Sequence, residues 1–143
     1  MIRSYTLGAD TKKDRDLYAW TGHWLLDAAV HEVIGMPITS VDGDRWYVAT
    51  PEKGRARGFL STRDATTTPN RHIRYAFADT SLVRRALLTR AIEEARADGI
   101  ELLFTNERKD DPDLPALGFK IKSTRRVSFA RWELQLNNGG TKS

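Results

Sequence analysis

With 143 residues, 40% apolar and 29% charged side chains and a net charge of +4, the chain has the make-up of one soluble domain able to bury a single continuous core. The absence of cysteine excludes disulfides, thiolate metal centres and thiol nucleophiles. No apolar run approaches the length of a membrane span and the first residues, MIRSYTLGADTKK, lack the apolar core of a signal peptide, so a cytoplasmic location with no membrane contact is expected. The modest basic excess favours anionic partners: nucleic acid, nucleotide cofactors or acidic proteins.

Met1 to Leu7 alternates weakly and predicts a first strand, closed by Gly8-Ala9-Asp10. Thr11 to Asp14 has the form of a capping box, and Leu17, Trp20, Trp24, Leu25 and Ala28 then recur at helical spacing to about Glu32. Gly22 is a candidate break within this helix, and Gly35 and Pro37 close the region. Asp42-Gly43 suits a tight hairpin between Ile38–Val41 and Arg45–Thr50. A further turn at Pro51–Gly54 leads to a strand over Arg55–Arg63, and a polar loop over Ala65–Asn70 leads to His72–Ala78, where Ile73, Tyr75 and Phe77 are expected on one face. An antiparallel meander joins these pieces most simply.

After a polar break at Asp79, Thr80 and Ser81 a helix is predicted to about Asp98, with Leu87, Leu88, Ala91, Ile92 and Ala95 as its buried stripe and Gly99 as its stop. The first amides of such a helix have no partner within it, so the junction is a candidate anion site. Ile100–Phe104 reads as a buried strand, Asp111–Gly118 holds at most a short helix, and Phe119–Arg125 and Val127–Leu136 alternate as two last strands. One domain over residues 1–136 and a disordered tail over 137–143 are expected.

This order, with the Leu87-Leu88 pair in the long helix, Asn106 just after the apolar strand and Leu117-Gly118-Phe119 opening the penultimate strand, is similar to that of the GNAT acyltransferase superfamily. The resemblance implies an α+β fold with a mixed, mostly antiparallel central sheet and helices on both faces. It also implies acyl transfer from acetyl-CoA or another acyl-CoA to an amine, with no metal. By that resemblance the pantetheine arm lies between splayed strands, against the edge Tyr75, Phe77 and Ala78 and opposite Asn106, and the pyrophosphate sits at Thr80, Ser81, Arg84 and Arg85. Some phage-borne relatives modify DNA bases, which with the basic balance admits a nucleic-acid acceptor.

Two places depart from the family's pattern. Where its phosphate loop carries Arg or Gln, Gly, and Gly or Ala, this chain has Asp79, Leu82 and Arg84. Where a tyrosine donates to the leaving sulfur, it has Leu114 or Pro115, neither able to give a proton. The alternative is therefore a catalytically silent module that keeps the fold for binding. Arg84 and Arg85, in a first helical turn, oppose the macrodipole unless an anion is bound; solvation is the bland account.

Among other candidates, His72 could serve as a general base if its face opens to a cleft. Glu107, Asp110, Asp111 and Asp113 could take up a cationic substrate or, through Glu107, a proton. His23 and His31 lack the carboxylates of a metal triad and are read as surface or capping residues. Ser61, Ser81 and Ser128 sit in no nucleophile motif. Trp20, Trp24, Trp46 and Trp132 are read as core, and Arg55, Arg57 and Arg63 with Phe59 as either a basic-aromatic binding face or a solvated one.

Overall fold

The computed structural model describes residues 1–25, 27–34, 38–124 and 127–136. Among these residues the elements are, in order, β1 (Ile2–Thr6), α1 (Thr11–Leu25), α2 (Ala28–Ile34), β2 (Arg45–Ala49), β3 (Gly58–Asp64), β4 (Asn70–Ala78), α3 (Ser81–Ala97), β5 (Leu102–Arg108), α4 (Asp113–Ala116), β6 (Lys120–Thr124) and β7 (Phe129–Gln135). The strands form one sheet in the order β1-β2-β3-β4-β5-β7-β6, antiparallel throughout except for the parallel pair β4 and β5. This is the expected mixed, mostly antiparallel sheet.

The two faces carry separate cores. On one, Leu87, Leu88, Ala91, Ile92 and Ala95 of α3 pack on Leu60, Ile73, Leu103 and Trp132, as the helical stripe predicted. On the other, Leu17 and Val30 with Trp20 and Trp24 cover Trp46, Val48, Phe59 and Tyr75. All four tryptophans thus belong to, or pack on, a core.

Several boundaries differ from the sequence reading. The cap of α1 is Asp10, whose carboxylate accepts from the Lys12 and Lys13 amides, while Asp14 reaches back to the Gly8 amide instead of to Thr11. The break between α1 and α2 falls beyond Leu25 and leaves Gly22 inside the helix. Residues 38–41 form no strand, because Asp44, buried, gathers the Val41 amide, the Ser40 hydroxyl and the Arg63 guanidinium and folds the segment into a turn. Arg55 and Arg57 precede β3, and Asn70 and Arg71 join β4. Gly35, Pro37, Arg125 and the tail over 137–143 lie outside the described residues.

Two differences shape the site. Tyr75 stands opposite Ser61 and Ile73 opposite Thr62, so Arg74 is the extra residue of a bulge in β4. The bulge reverses the alternation: Ile73 faces α3, whereas Tyr75 and Phe77 face α1, so these three residues do not share a side. β5, in turn, runs to Arg108 instead of stopping at Phe104, and pairs with β4 only from Asn70/Leu102 to Ile73/Thr105.

The far end of α3 is tied to the sheet by Arg71, which is 1% exposed and donates to Asp64 and to Asp98, the helix's C-cap; Arg45 also reaches Asp98. At the near end Gly58 permits the close approach of β3 to β4. A Cβ there would stand 2.7 Å from both Ala78 Cβ and Phe77 O. Gly58→Ala is expected to destabilise the fold by about 1–3 kcal/mol, the range for overpacking, measurable as a lower urea midpoint at unchanged slope.

Candidate functional site

Beyond Ile73 and Thr105 the bulged β4 and the long β5 run on without pairing, leaving a fork in the sheet. A cavity of about 220 Å³ fills it, lined by Ala76, Phe77 and Ala78 of β4, Glu107 and Arg108 of β5, Ile34 of α2, Arg84 of α3, and Asp111 and Asp113. The strand alternation gives it two mouths. Ala76, Ala78 and Glu107 look toward α3; Phe77 and Arg108 look toward α1 and α2.

Arg84 holds the α3 mouth. Its Nε donates to the Ala76 carbonyl at 2.7 Å, Nη1 to Asp111 at 2.6 Å and Asp113 at 2.8 Å, and Nη2 to Glu107 at 3.1 Å. The side chain is 12% exposed. Arg84 is thus neither solvated nor turned toward the helix N-terminus, but bridges the fork from strand to strand. Arg85 is half-exposed and donates to Asp113, which also accepts from the Ser81 hydroxyl. Thr80 is the N-cap of α3, its hydroxyl accepting from the Val83 amide.

The acidic segment is shaped for this arrangement. Asp111 accepts from the Asp113 and Leu114 amides and so caps the short helix α4, which presents Asp113 to the first turn of α3. Burial works against the charge on Asp113, but its bonds from Ser81, Arg84 and Arg85 outweigh that and hold its carboxyl below the usual range. Glu107 goes the other way: burial raises it, more than the opposing charge of Arg84 lowers it. Asp110 lines no part of the cavity.

The remaining candidates are dispersed. Tyr75 is buried and its hydroxyl accepts from the Thr39 amide. His72 stacks on Phe104, centroids 4.6 Å apart and planes 8° apart, at the paired end of β4. Burial, with Arg74, Arg131 and Arg63 nearby, pulls its pKa to about 4, so at neutral pH the imidazole carries no extra proton and holds poorly any it removes. Asn106, the first residue of β5 past its pairing with β4, keeps its Oδ1 buried and without a hydrogen-bond partner. Phe59 is fully buried against Trp24 and Trp46 while Arg57 pairs with Asp79 and Arg63 with Asp44, so the basic-aromatic face anticipated on β3 is not formed. His23 lies against Trp24, and His31 bonds the Leu25 carbonyl.

No protein-family model and no curated protein sequence matches the chain. Solved structures do. An N-acetyltransferase from Staphylococcus aureus Mu50 superposes with a TM-score of 0.69 at 14% identity, over 96% of this chain and 99% of that one. A structure assigned to acetyltransferases of the GNAT family, from Desulfovibrio desulfuricans, gives 0.60 at 18% identity, over 95% and 98%. The chain has the GNAT fold. The ribosomal-protein-S18-alanine N-acetyltransferase of Escherichia coli matches along the whole chain, with 99% of its own covered, at a TM-score of 0.58 and 14% identity.

Within this GNAT fold the sequence reading missed the function of Asp111 and Asp113 as partners of Arg84. The signal was present in the excess of carboxylates just after the strand that follows the long helix. Asp113→Asn is expected to cost about 1–3 kcal/mol at pH 7 by weakening charge-assisted bonds. Because its folded pKa is depressed, that contribution is full above the unfolded carboxylate range and is lost as pH falls through the folded value. Urea unfolding of both proteins at neutral and acid pH therefore shows the gap closing toward acid.

Proposed function

We propose that the protein is an N-acyltransferase that takes an acyl group from a CoA thioester to an amine, with the thioester arm in the fork between β4 and β5. The observation that supports this reading most is the parting of the two parallel strands after Ile73 and Thr105, at a bulge, around a cavity lined by residues of both faces. A sheet gives up ladder hydrogen bonds to make such a gap, a loss that a bound chain with amides of its own restores.

The residues fit a thioester nucleotide in shape but not in charge as they stand. Three carboxylates, Glu107, Asp111 and Asp113, meet two guanidiniums, Arg84 and Arg85, which leaves one net negative charge where a diphosphate would lie. The arm's place against Ala76 O is taken by Arg84. Entry requires Arg84 to swing out of the fork. Each charge-assisted bond left without a replacement then costs about 1.5–3 kcal/mol.

When bound, the thioester supplies an activated acyl carbon. The chain's own groups then have distinct tasks. The Ser81 and Leu82 amides, without intrahelical acceptors, and Arg85 with the displaced Arg84 face the diphosphate. Glu107 holds the proton that the amine gives up; losing the neighbouring charge of Arg84 raises its pKa further, toward the working range of a base. Leu114, fully buried, offers no proton to the sulfur, so the thiolate leaves without that donor. His72, neutral and stacked, is given no proton-transfer role.

The second reading, a silent binding module, is favoured by the four bonds of Arg84, which tie β4 to β5 and the acidic segment across the fork. Calorimetry with acetyl-CoA separates the two. Wild type is expected to bind weakly. Arg84→Ala combined with Glu107→Gln and Asp111→Asn, which removes with Arg84 two of the carboxylates it neutralises and leaves Asp113 paired with Arg85, is expected to bind at least about tenfold tighter, or ~1.4 kcal/mol, yet transfer no acyl group to a test amine. Heat from neither protein decides for the silent module.

A further inference from the structure

The sheet face opposite α3 continues past β4 as a second, oppositely charged surface. The register puts His72 of β4, Phe104, Asn106 and Arg108 of β5, and Phe129 and Arg131 of β7 on it. His72, Phe104 and Arg131 form a ladder across three strands: the imidazole stacks on the phenyl ring, and the Arg131 guanidinium lies 4.0 Å from that ring's centroid. Arg108 sits 5.1 Å over Phe129, and Arg74 5.1 Å over Tyr75. Four guanidiniums, Arg63, Arg74, Arg108 and Arg131, meet two carboxylates, Asp44 and Glu133. Burial first, and then the charges of Arg74, Arg131 and Arg63, lower the His72 pKa. Arg108 lines the fork cavity from this face, and Asn106, two residues before it on β5, has a buried Oδ1 without a partner.

We propose that this face binds single-stranded nucleic acid, phosphates on Arg108 and Arg131, a base against the Phe104–Arg131 stack, and the base's exocyclic amine at Asn106 Oδ1. Guanidinium and aromatic planes on an open sheet suit unstacked bases, because every base has a π-face and a duplex hides it. An orphan acceptor suits an N–H donor. The inference rests on the acyl-transfer reading for what happens to that amine, but not for the binding itself.

The test is fluorescence anisotropy with a labelled mixed-sequence oligonucleotide of roughly twelve nucleotides, within the range of single-strand sites, and with the same sequence as a duplex, from about 50 to about 200 mM salt. Single-strand binding is expected to fall with salt. Arg108→Gln with Arg131→Gln should weaken it at least tenfold and flatten the log–log slope by about 1.4, or roughly 0.7 for each phosphate no longer neutralised. Arg131→Lys, which keeps the charge but not the plane, should weaken binding at unchanged slope, as should Phe104→Leu. Arg96→Gln, exposed on α3 across the sheet, should change nothing. No binding at the lowest salt, tighter binding of the duplex, or an equal loss from Arg96→Gln overturns the proposal. Binding that follows this pattern upholds the proposal whether or not an acetyl group reaches the oligonucleotide, and leaves the acyl-transfer reading to the calorimetry above.

Discussion

A single guanidinium spans the place where the sheet opens. β4 and β5 share only four residue pairs, and past the last of them no ladder holds them at a fixed distance. Arg84 supplies the missing link, from the Ala76 carbonyl on one strand to Glu107 on the other, and draws Asp111 and Asp113 in behind it. The cation sits in the first turn of α3, where the helix dipole opposes it. Three carboxylates reverse that penalty, so the helix start, the fork and α4 are held as one unit. The other end of α3 is tied by a second buried arginine, Arg71, through Asp64 and Asp98. Arginine suits both places, since its planar fork of donors satisfies several acceptors at once and remains charged when buried.

The two mouths of the fork differ in charge. Toward α3 it is lined by carboxylates with a guanidinium inside; toward α1 and α2 it opens beside Arg108 and the arginine–aromatic pairs of β5 and β7. Arg108 acts on Glu107 from the other side: burial raises this carboxyl, and the charges of Arg84 and Arg108 both lower it. Moving Arg84 changes the proton affinity of Glu107, and with it the chemistry available to anything on the far face. In the acyl-transfer reading this coupling links thioester entry to the appearance of a base. In the silent reading the same bonds make the fork a permanently sealed seam.

Much of the architecture was legible in the sequence because it rests on local patterning. The α3 stripe at Leu87, Leu88, Ala91, Ile92 and Ala95, the stop at Gly99 and the meander of β2 to β4 follow from periodicity and turn chemistry, which act within a few residues. The errors came where a distant partner overrides local preference. Residues 38–41 alternate like a strand but are folded into a turn by Asp44, whose charge is satisfied by Arg63 on another strand. Thr105, Asn106 and Glu107 look too polar to prolong an apolar strand, yet do so because Glu107 finds Arg84 and Thr105 lies beneath the sheet's cover.

By itself the sequence determined the order of elements, the apolar stripe of the long helix, that Arg84 and Arg85 open that helix, and that an acidic segment follows the next strand. It was silent on what Arg84 touches, because a long side chain's partners depend on which strands the fold sets next to one another. The bulge at Arg74 was equally hidden: one extra residue leaves no mark in composition, but reverses every later side chain of β4. That the strands part was implied only by the family resemblance; the arginine set into the gap and the opposite charge of its two sides belong to the tertiary structure alone. Each is made by groups on different elements, far apart along the chain, and only packing brings them within reach of one another.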